Sequence, residues 1–162
     1  MDRYVYWCDN ICYEEIDGVI RSAHPKGDGI HRTWYANGQL EYEHTRENGR
    51  IVGISRHWHD NGVLESETPH HLGFPHGVVR HWNRNGVLLG AYELKMGYGI
   101  RRKWNEDGSL AHESHHINEH AIKGTHWDDL GKPHTVYLWN GKPISKKKFY
   151  ERLAREEEEN SK

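Results

Sequence analysis

A short motif recurs four times along the chain and constrains its fold more than any other feature. Each copy begins with a Gly and an aliphatic residue, and reaches an Arg and then a Trp. The next Gly follows that Trp by four residues, and a Leu follows the Gly by two. Successive Trp residues are 24, 24 and 22 residues apart, a period that indicates a repeat architecture. The recurring positions are Trp34, Trp58, Trp82 and Trp104; Gly38, Gly62, Gly86 and Gly108; and Leu40, Leu64, Leu88 and Leu110.

Each copy is predicted to form one β-hairpin. In the first copy Ile30, Arg32 and Trp34 alternate with residues of the other face, as they would in a strand. Asn37-Gly38 then marks a tight turn, because Gly readily takes the positive φ that such turns require. The prediction is a mainly all-β fold, in which a meander of repeated hairpins forms an elongated, twisted antiparallel sheet.

The register of each hairpin depends on the length of its turn. A two-residue turn would place Tyr35 opposite Leu40, whereas a three-residue turn with a left-handed Gly38 would place Trp34 there. Only the second choice pairs two large apolar residues in all four copies. Since the buried pattern sets the register of a strand pair, we predict the three-residue turn and a Trp/Leu ladder along one face.

The composition fits a thin layered structure of this kind. The 162 residues are only 35% hydrophobic, yet they include seven Trp and nine Tyr. A repeat array buries one stripe of side chains per copy and needs no central core. We expect a divergent strand region at 1–28, the repeats at 29–143, and a short C-terminal α-helix with an acidic tail at 144–162.

The C-terminal segment has the pattern of a helix. Ser145 is a suitable N-cap, and Lys146 to Glu159 read as helical. Its apolar side chains are Phe149, Tyr150, Leu153 and Ala154. The helix is expected either to cover the open edge of the last hairpin or to dock into a partner.

Four arginines lie on the same face as the Trp/Leu ladder. One interpretation is structural, with each guanidinium lying on a neighbouring Trp and pairing with nearby acids. The other is a row of cations for an acidic partner. The net charge of −2 provides no general basic field for nucleic acid. These arginines are Arg32, Arg56, Arg80 and Arg102.

The unit Gly-x-x-x-x-Trp-x-x-Asn-Gly-x-Leu, at this period, resembles the variant MORN repeat of YwqK-type antitoxin and immunity proteins from bacteria. The resemblance covers residues 29–112, and a weaker copy begins at Gly124. The third copy departs from the pattern, since Leu89-Gly90-Ala91 replaces the acidic strand seen as Glu41-Tyr42-Glu43. The resemblance implies a non-enzymatic protein that binds another protein, namely a cognate toxin or effector, and neutralises it by occlusion.

Fifteen histidines and two cysteines raise the question of metal or catalytic chemistry. The Cys8-x3-Cys12 spacing has no second ligand pair, and the histidine clusters differ between copies, so we predict no metal and no cofactor. His112, Glu113 and His115 could serve as an acid–base group, but no nucleophile motif accompanies them. Half-buried sheet positions and partner contacts are the preferred roles, with pH-sensitive binding as a possible consequence.

Partner contacts are expected on the face opposite the Trp/Leu ladder, because side chains there differ among copies. The alternative is a nucleic-acid or anionic-lipid binder that uses the four arginines. No signal peptide and no membrane-spanning stretch is recognisable, so a cytoplasmic location is the default expectation. The hypothesis assigns the contacts to Tyr35, His57, His59, His81, Arg101 and Lys103.

Overall fold

The computed structural model describes residues 2–116, 121–128 and 130–160. Within them the chain is a succession of antiparallel strands followed by a helix, which confirms the predicted mainly all-β fold. The strands are β1 Arg3–Cys8, β2 Ile11–Ile16, β3 Val19–Pro25, β4 Gly29–Trp34, β5 Leu40–Glu47, β6 Arg50–Trp58, β7 Leu64–His71, β8 Phe74–Pro75, β9 Gly77–Trp82, β10 Leu88–Leu94, β11 Gly99–Trp104, β12 Leu110–His116, β13 Ala121–Trp127, β14 Pro133–Trp139 and β15 Lys142–Ile144; the helix is α1 Lys146–Asn160.

The strands form two sheets in which neighbours in the chain are neighbours in space. The first sheet runs from β1 to β10 in chain order, with the short β8 pairing to β7 beside β9. The second runs from β11 to β15, also in chain order. Two compact units result. One holds the chain up to Ala91 with Lys95–Gly97, and the other holds Tyr92–Leu94 with the chain from Tyr98 onward, a division that the sequence did not predict.

The hairpin turns have the predicted three-residue geometry. Trp34 pairs with Leu40, and Trp58 pairs with Leu64. The backbone N–H of Tyr35 donates to the carbonyl of Gln39 at 2.9 Å, and Gly38 has a φ of 84°. A β-bulge lies directly before each of these Trp residues, where the strand leaving the turn carries one extra residue, Glu41 or Glu65. The same pairing joins Trp104 to Leu110.

The later copies close their turns in the same way. In the third copy the N–H of Asn83 donates to the carbonyl of Val87 at 2.9 Å. In the weaker fifth copy the backbone N–H of Asp128 donates to the carbonyl of Lys132 at 3.1 Å. Trp127 pairs there with Pro133, where the other copies have a Leu. The hairpin therefore persists although the sequence motif has weakened.

Consecutive turns are tied to each other by asparagine side chains. Asn37 donates its Nδ2 to the carbonyl of Asp60 at 2.6 Å, and Asn61 donates to the carbonyl of Arg84 at 2.9 Å. The Oδ1 atom of Asn37 also accepts the N–H of Gln39 at 3.1 Å. Each such asparagine thus closes its own turn and bonds to the next one along the sheet.

The helix packs on one face of the β14–β15 hairpin. Phe149 is fully buried, and it contacts Tyr137 and Trp139, which share a face of β14. The Oγ of Ser145 accepts the N–H of Lys148 at 3.3 Å, as predicted for the N-cap. In the part of the chain that the structure describes, no helix combines the length and apolar character required to cross a membrane.

Candidate protein-binding surface

One face of the first sheet carries three parallel rows of side chains, one of which consists of the Trp residues. We call it the ladder face. Alternation along β4, β6 and β9 places an aliphatic residue, an Arg and a Trp on this face of each strand. The aliphatic side chains are solvent exposed, at 46% for Ile30, 41% for Ile54 and 39% for Val78. Leu88, at the end of the Trp/Leu row, is 52% exposed. An open face of this kind presents much apolar surface to solvent.

The middle row of the ladder face alternates in charge. Arg32 lies opposite Glu43 and bonds to it through Nε at 2.7 Å. Arg56 follows on the next strand and bonds to Glu67 at 2.8 Å. In the second unit Arg102 bonds to its own glutamate, Glu113, at 2.9 Å. These three arginines are therefore paired with acids, as one part of the structural interpretation expected, whereas among the described residues none of the three guanidinium groups stacks on a Trp ring.

Arg80 is the exception in this row. It lies opposite Glu67, but that carboxylate is bonded to Arg56. The glutamate found eleven residues after each of the other arginines is replaced by Ala91. Among the described residues no acidic side chain lies within ion-pair distance of Arg80, and its side chain is exposed. The row consequently ends in a cation that lacks the partner present in the other copies.

The opposite face of the first sheet is lined with hydroxyls and aromatic rings. Tyr42 lies across from His57, and their rings stack with centroids 4.1 Å apart. Ser66 and His81 continue the row on the next two strands. His57 is exposed to solvent, but neighbouring atoms remove part of the hydration of its ring. This partial burial lowers the pKa of the imidazole.

Two of the predicted contact residues are engaged in bonds between repeats. The hydroxyl of Tyr35 donates to the carbonyl of Trp58 at 2.7 Å. His59 occupies the equivalent position of the next copy, and its Nε2 bonds to the carbonyl of Trp82 at 3.0 Å. His59 is only 9% exposed, which leaves little of it for a partner to touch. The other four lie on strands, with His57 and Lys103 exposed and His81 and Arg101 half-buried.

These six residues do not form one continuous patch within a single unit. Tyr35, His57 and His59 belong to the first compact unit together with His81, whereas Lys103 and Arg101 belong to the second. In the second unit Arg101 lies opposite Ser114. The sequence therefore located two exposed strand positions, His57 and Lys103, but it could not reveal that they belong to different units.

Glu113, one of the residues considered for acid–base chemistry, is bonded to His115 and to Arg102. Glu113 accepts from His115 at 2.8 Å as well as from Arg102, and these bonds keep its pKa below the usual range, with the bond from His115 contributing most. His112 lies opposite His126 on the adjacent strand, whereas His120 lies outside the described residues. In the described ranges no group of three or more His, Cys, Asp or Glu side chains is arranged to hold a metal ion.

The two-residue turns between repeats form a groove that the motif did not signal. Leu72 and Met96 occupy the first position of two such turns with φ of 51°, an uncommon conformation for large side chains. With Phe74 they line a shallow groove of about 420 Å³ that is flanked by Arg46 and Arg50. Leu72 is 55% exposed, and Phe74 is 54% exposed, so this end of the first unit also presents apolar surface.

Comparison with protein families identifies the repeat. The family model of the MORN repeat variant matches residues 27–48 and 51–71, which hold the β4–β5 and β6–β7 hairpins. Two of the repeats therefore match the MORN repeat variant. Such repeats are generally protein- or membrane-binding modules and are generally non-catalytic. The searches matched no curated protein and no solved structure.

Proposed function

We propose that this MORN-repeat chain is a non-enzymatic protein-binding module, and that the ladder face of its first unit receives the partner. The observation that carries the proposal is the exposed aliphatic row of Ile30, Ile54 and Val78 beside the unpaired cation of Arg80. Exposed apolar side chains on the same face as a charged group that lacks its partner are typical of an interaction site. A partner carboxylate would take the place of the glutamate that is missing at Ala91.

The alternating charges in the middle row of the ladder face also bear on the alternative of nucleic-acid or anionic-lipid binding. Because Arg32, Arg56 and Arg102 are each bonded to a glutamate, the row is largely neutralised by the protein itself. A surface that contacts many phosphates needs unpaired cations, and its affinity falls steeply as salt increases. The pairing therefore favours a protein partner over a polyanion.

The finer role that we propose is neutralisation of a cognate toxin or effector by occlusion. This step rests on the resemblance of the repeat to those of antitoxin and immunity proteins. A broad sheet face can cover an active site or a substrate channel without chemistry of its own. Co-expression with the partner provides the test, since the chain should relieve growth inhibition, and failure to do so would reject the neutralising role alone.

The contact surface is tested by charge reversal in each unit. On our proposal, Arg80→Glu weakens partner binding by more than about tenfold, because an acid of the partner then meets a like charge. The partner is first recovered by affinity capture with the wild-type chain, and its Kd is then measured by calorimetry. The thermal midpoint should hardly change, since exposed substitutions alter stability by no more than about 0.5 kcal/mol.

The double variant Arg101→Glu/Lys103→Glu tests the sequence-based contact residues of β11 in the second unit. The sequence-based hypothesis predicts that this variant loses more than about tenfold in affinity. Loss in the double variant with no loss in Arg80→Glu would reject the ladder face of the first unit and favour the contact residues of β11. Binding to RNA, DNA or anionic vesicles with a steep salt dependence would reject a protein partner for either surface.

A further inference from the structure

Strand β1 forms an open edge of the first sheet and is exposed along its whole length. It pairs with β2 on one side, and no described strand pairs with its other side. The exposed fractions are 58% for Tyr4, 58% for Val5, 39% for Tyr6 and 59% for Trp7. Proteins usually protect such edges with Lys, Pro or a covering segment, and β1 contains neither residue. An apolar edge of this kind is a template for another strand.

The hairpin geometry shows which backbone groups of β1 face outward. Cys8 and Ile11 flank the two-residue turn Asp9-Asn10, so they exchange both backbone hydrogen bonds. Every second residue of β1 then bonds to β2, and this alternation agrees with the bond from the Asp17 N–H to the carbonyl of Asp2 at 2.9 Å. The N–H and C=O groups of Arg3, Val5 and Trp7 consequently point away from the sheet.

We propose that a second copy of this chain adds its own β1 to this edge, antiparallel and about a two-fold axis through Val5. This register matches all three outward-facing residues, because Val5 meets Val5 of the second copy and Arg3 meets Trp7. About six backbone hydrogen bonds would form across the edge. Tyr4 would lie opposite Tyr6 of the second copy on the other face, where aromatic cross-strand pairs are favourable.

Charge selects this arrangement over the others. Arg3 is the charged residue of β1, its side chain is 67% exposed, and it bonds to Glu14 at 2.7 Å. In the proposed register its guanidinium lies beside an indole, which attracts a cation. Parallel pairing in register would instead place Arg3 against Arg3, a destabilising contact of like charges. The edge is therefore complementary to itself in one orientation.

Sedimentation velocity over a concentration series tests the dimer on the full chain. We expect the wild type to sediment as a dimer at high concentration, and Val5→Pro to sediment as a monomer. Proline at this position removes an outward N–H without removing a bond to β2. The matched control Val5→Thr keeps the N–H and should remain dimeric. Ile54→Lys, which changes an exposed side chain on an interior strand, should also remain dimeric.

A second variant covers the case in which Val5→Pro unfolds the hairpin. Val5→Lys places two charges opposite each other across the two-fold axis and should give monomers with an unchanged circular dichroism spectrum. A wild type that stays monomeric throughout would overturn the proposal. Dissociation by Ile54→Lys but not by Val5→Lys would overturn it as well, since the dimer would then use an open face.

Disulfide trapping tests the register. In a Cys8→Ser/Cys12→Ser background, Val5→Cys should form a disulfide-linked dimer on mild oxidation, because paired Cα atoms about 5.5 Å apart lie within bridging distance. In the wild type, the two copies of Cys8 would be about 20 Å apart and should not cross-link. Cross-linking through Cys8 instead of position 5 would reject the proposed axis.

Discussion

At the residue scale, His44 is the side chain whose surroundings most change its chemistry. It is 8% exposed, its ring stacks on His31 with centroids 4.9 Å apart, and its Nε2 accepts from the Nε of Arg46 at 3.3 Å. Burial, followed by the positive charge that His31 and Arg46 can carry, lowers the pKa of His44 to about 4. The folded protein therefore keeps this imidazole neutral in mild acid, where a free imidazole binds a proton.

Acidification should consequently destabilise the fold through His44. Between about pH 6.5 and pH 4 the unfolded chain binds a proton that the folded chain does not, so the free energy of unfolding falls as pH falls. By pH 4.5 the loss attributable to His44 is about 2–3 kcal/mol. In urea titrations at pH 7 and pH 4.5, His44→Gln should show a smaller pH-dependent loss than the wild type. A pH-dependent loss in His44→Gln as large as that of the wild type would contradict the prediction.

The missing glutamate of the third copy allows a test of the charge row itself. Ala91→Glu should give Arg80 the ion pair that the other arginines possess and stabilise the fold by about 0.2–1 kcal/mol at low salt. The gain should shrink in 1 M salt because exposed charges are screened. Thermal unfolding at two salt concentrations measures this effect. Ala91→Gln is the matched control, and an equal gain from glutamine would show that charge is not the cause.

The pairing of the arginines with acids was one of the two sequence interpretations, whereas the bonds of Tyr35 and His59 were not predicted. The predicted turn alone would place Arg32 opposite Tyr42, and a β-bulge that the sequence did not signal places it opposite Glu43 instead. The position after each Trp is Tyr35, His59, Asn83 or Asn105, and this variation resembles that of a solvent-facing position. Only the folded structure shows that the side chains of Tyr35 and His59 reach the Trp carbonyl of the following repeat.

At the scale of the element, the hairpins and the helix followed from local signals. The Trp/Leu pattern selected the three-residue turn over the two-residue turn, and Ser145 marked the start of a helix that begins at Lys146. The helix was expected to cover a sheet edge or to dock into a partner. Its side chains instead pack on the face of its own hairpin, because Tyr137 and Trp139 offer aromatic surface to Phe149 there. That preference depends on tertiary contacts that a sequence pattern does not contain.

The Trp/Leu ladder supports each hairpin less than full burial would. Trp58 is half-buried on an open face, so Trp58→Ala should lower the free energy of unfolding by about 2–3 kcal/mol rather than by the 3–5 kcal/mol of a buried aromatic. Urea titration measures the change. Leu88→Ala, at a ladder position that is 52% exposed, should lose less than about 1 kcal/mol. If Trp58→Ala lowered the free energy of unfolding as little as Leu88→Ala, the Trp/Leu ladder would not stabilise the hairpins.

At the scale of the whole molecule, the chain is a nearest-neighbour structure. Within each of the two sheets, the described strands pair with the strands before and after them in sequence, and the short β8 pairs with β7 without changing that order. The repeat period predicted this organisation. It did not predict the division into two compact units near residues 91–98, since the Trp spacing there shortens by only two residues.

The asparagine bonds between turns also restrict how such a chain can evolve. Asn37 and Asn61 each reach a carbonyl 23 residues further along, so the length of a repeat is fixed by a bond as well as by strand pairing. An insertion or deletion of one residue within a copy would move the acceptor out of reach and shift the ladder register. Loss or gain of a complete copy preserves both the asparagine bond and the ladder register. Genes for arrays of this kind should therefore change in length by duplication or excision of whole hairpins.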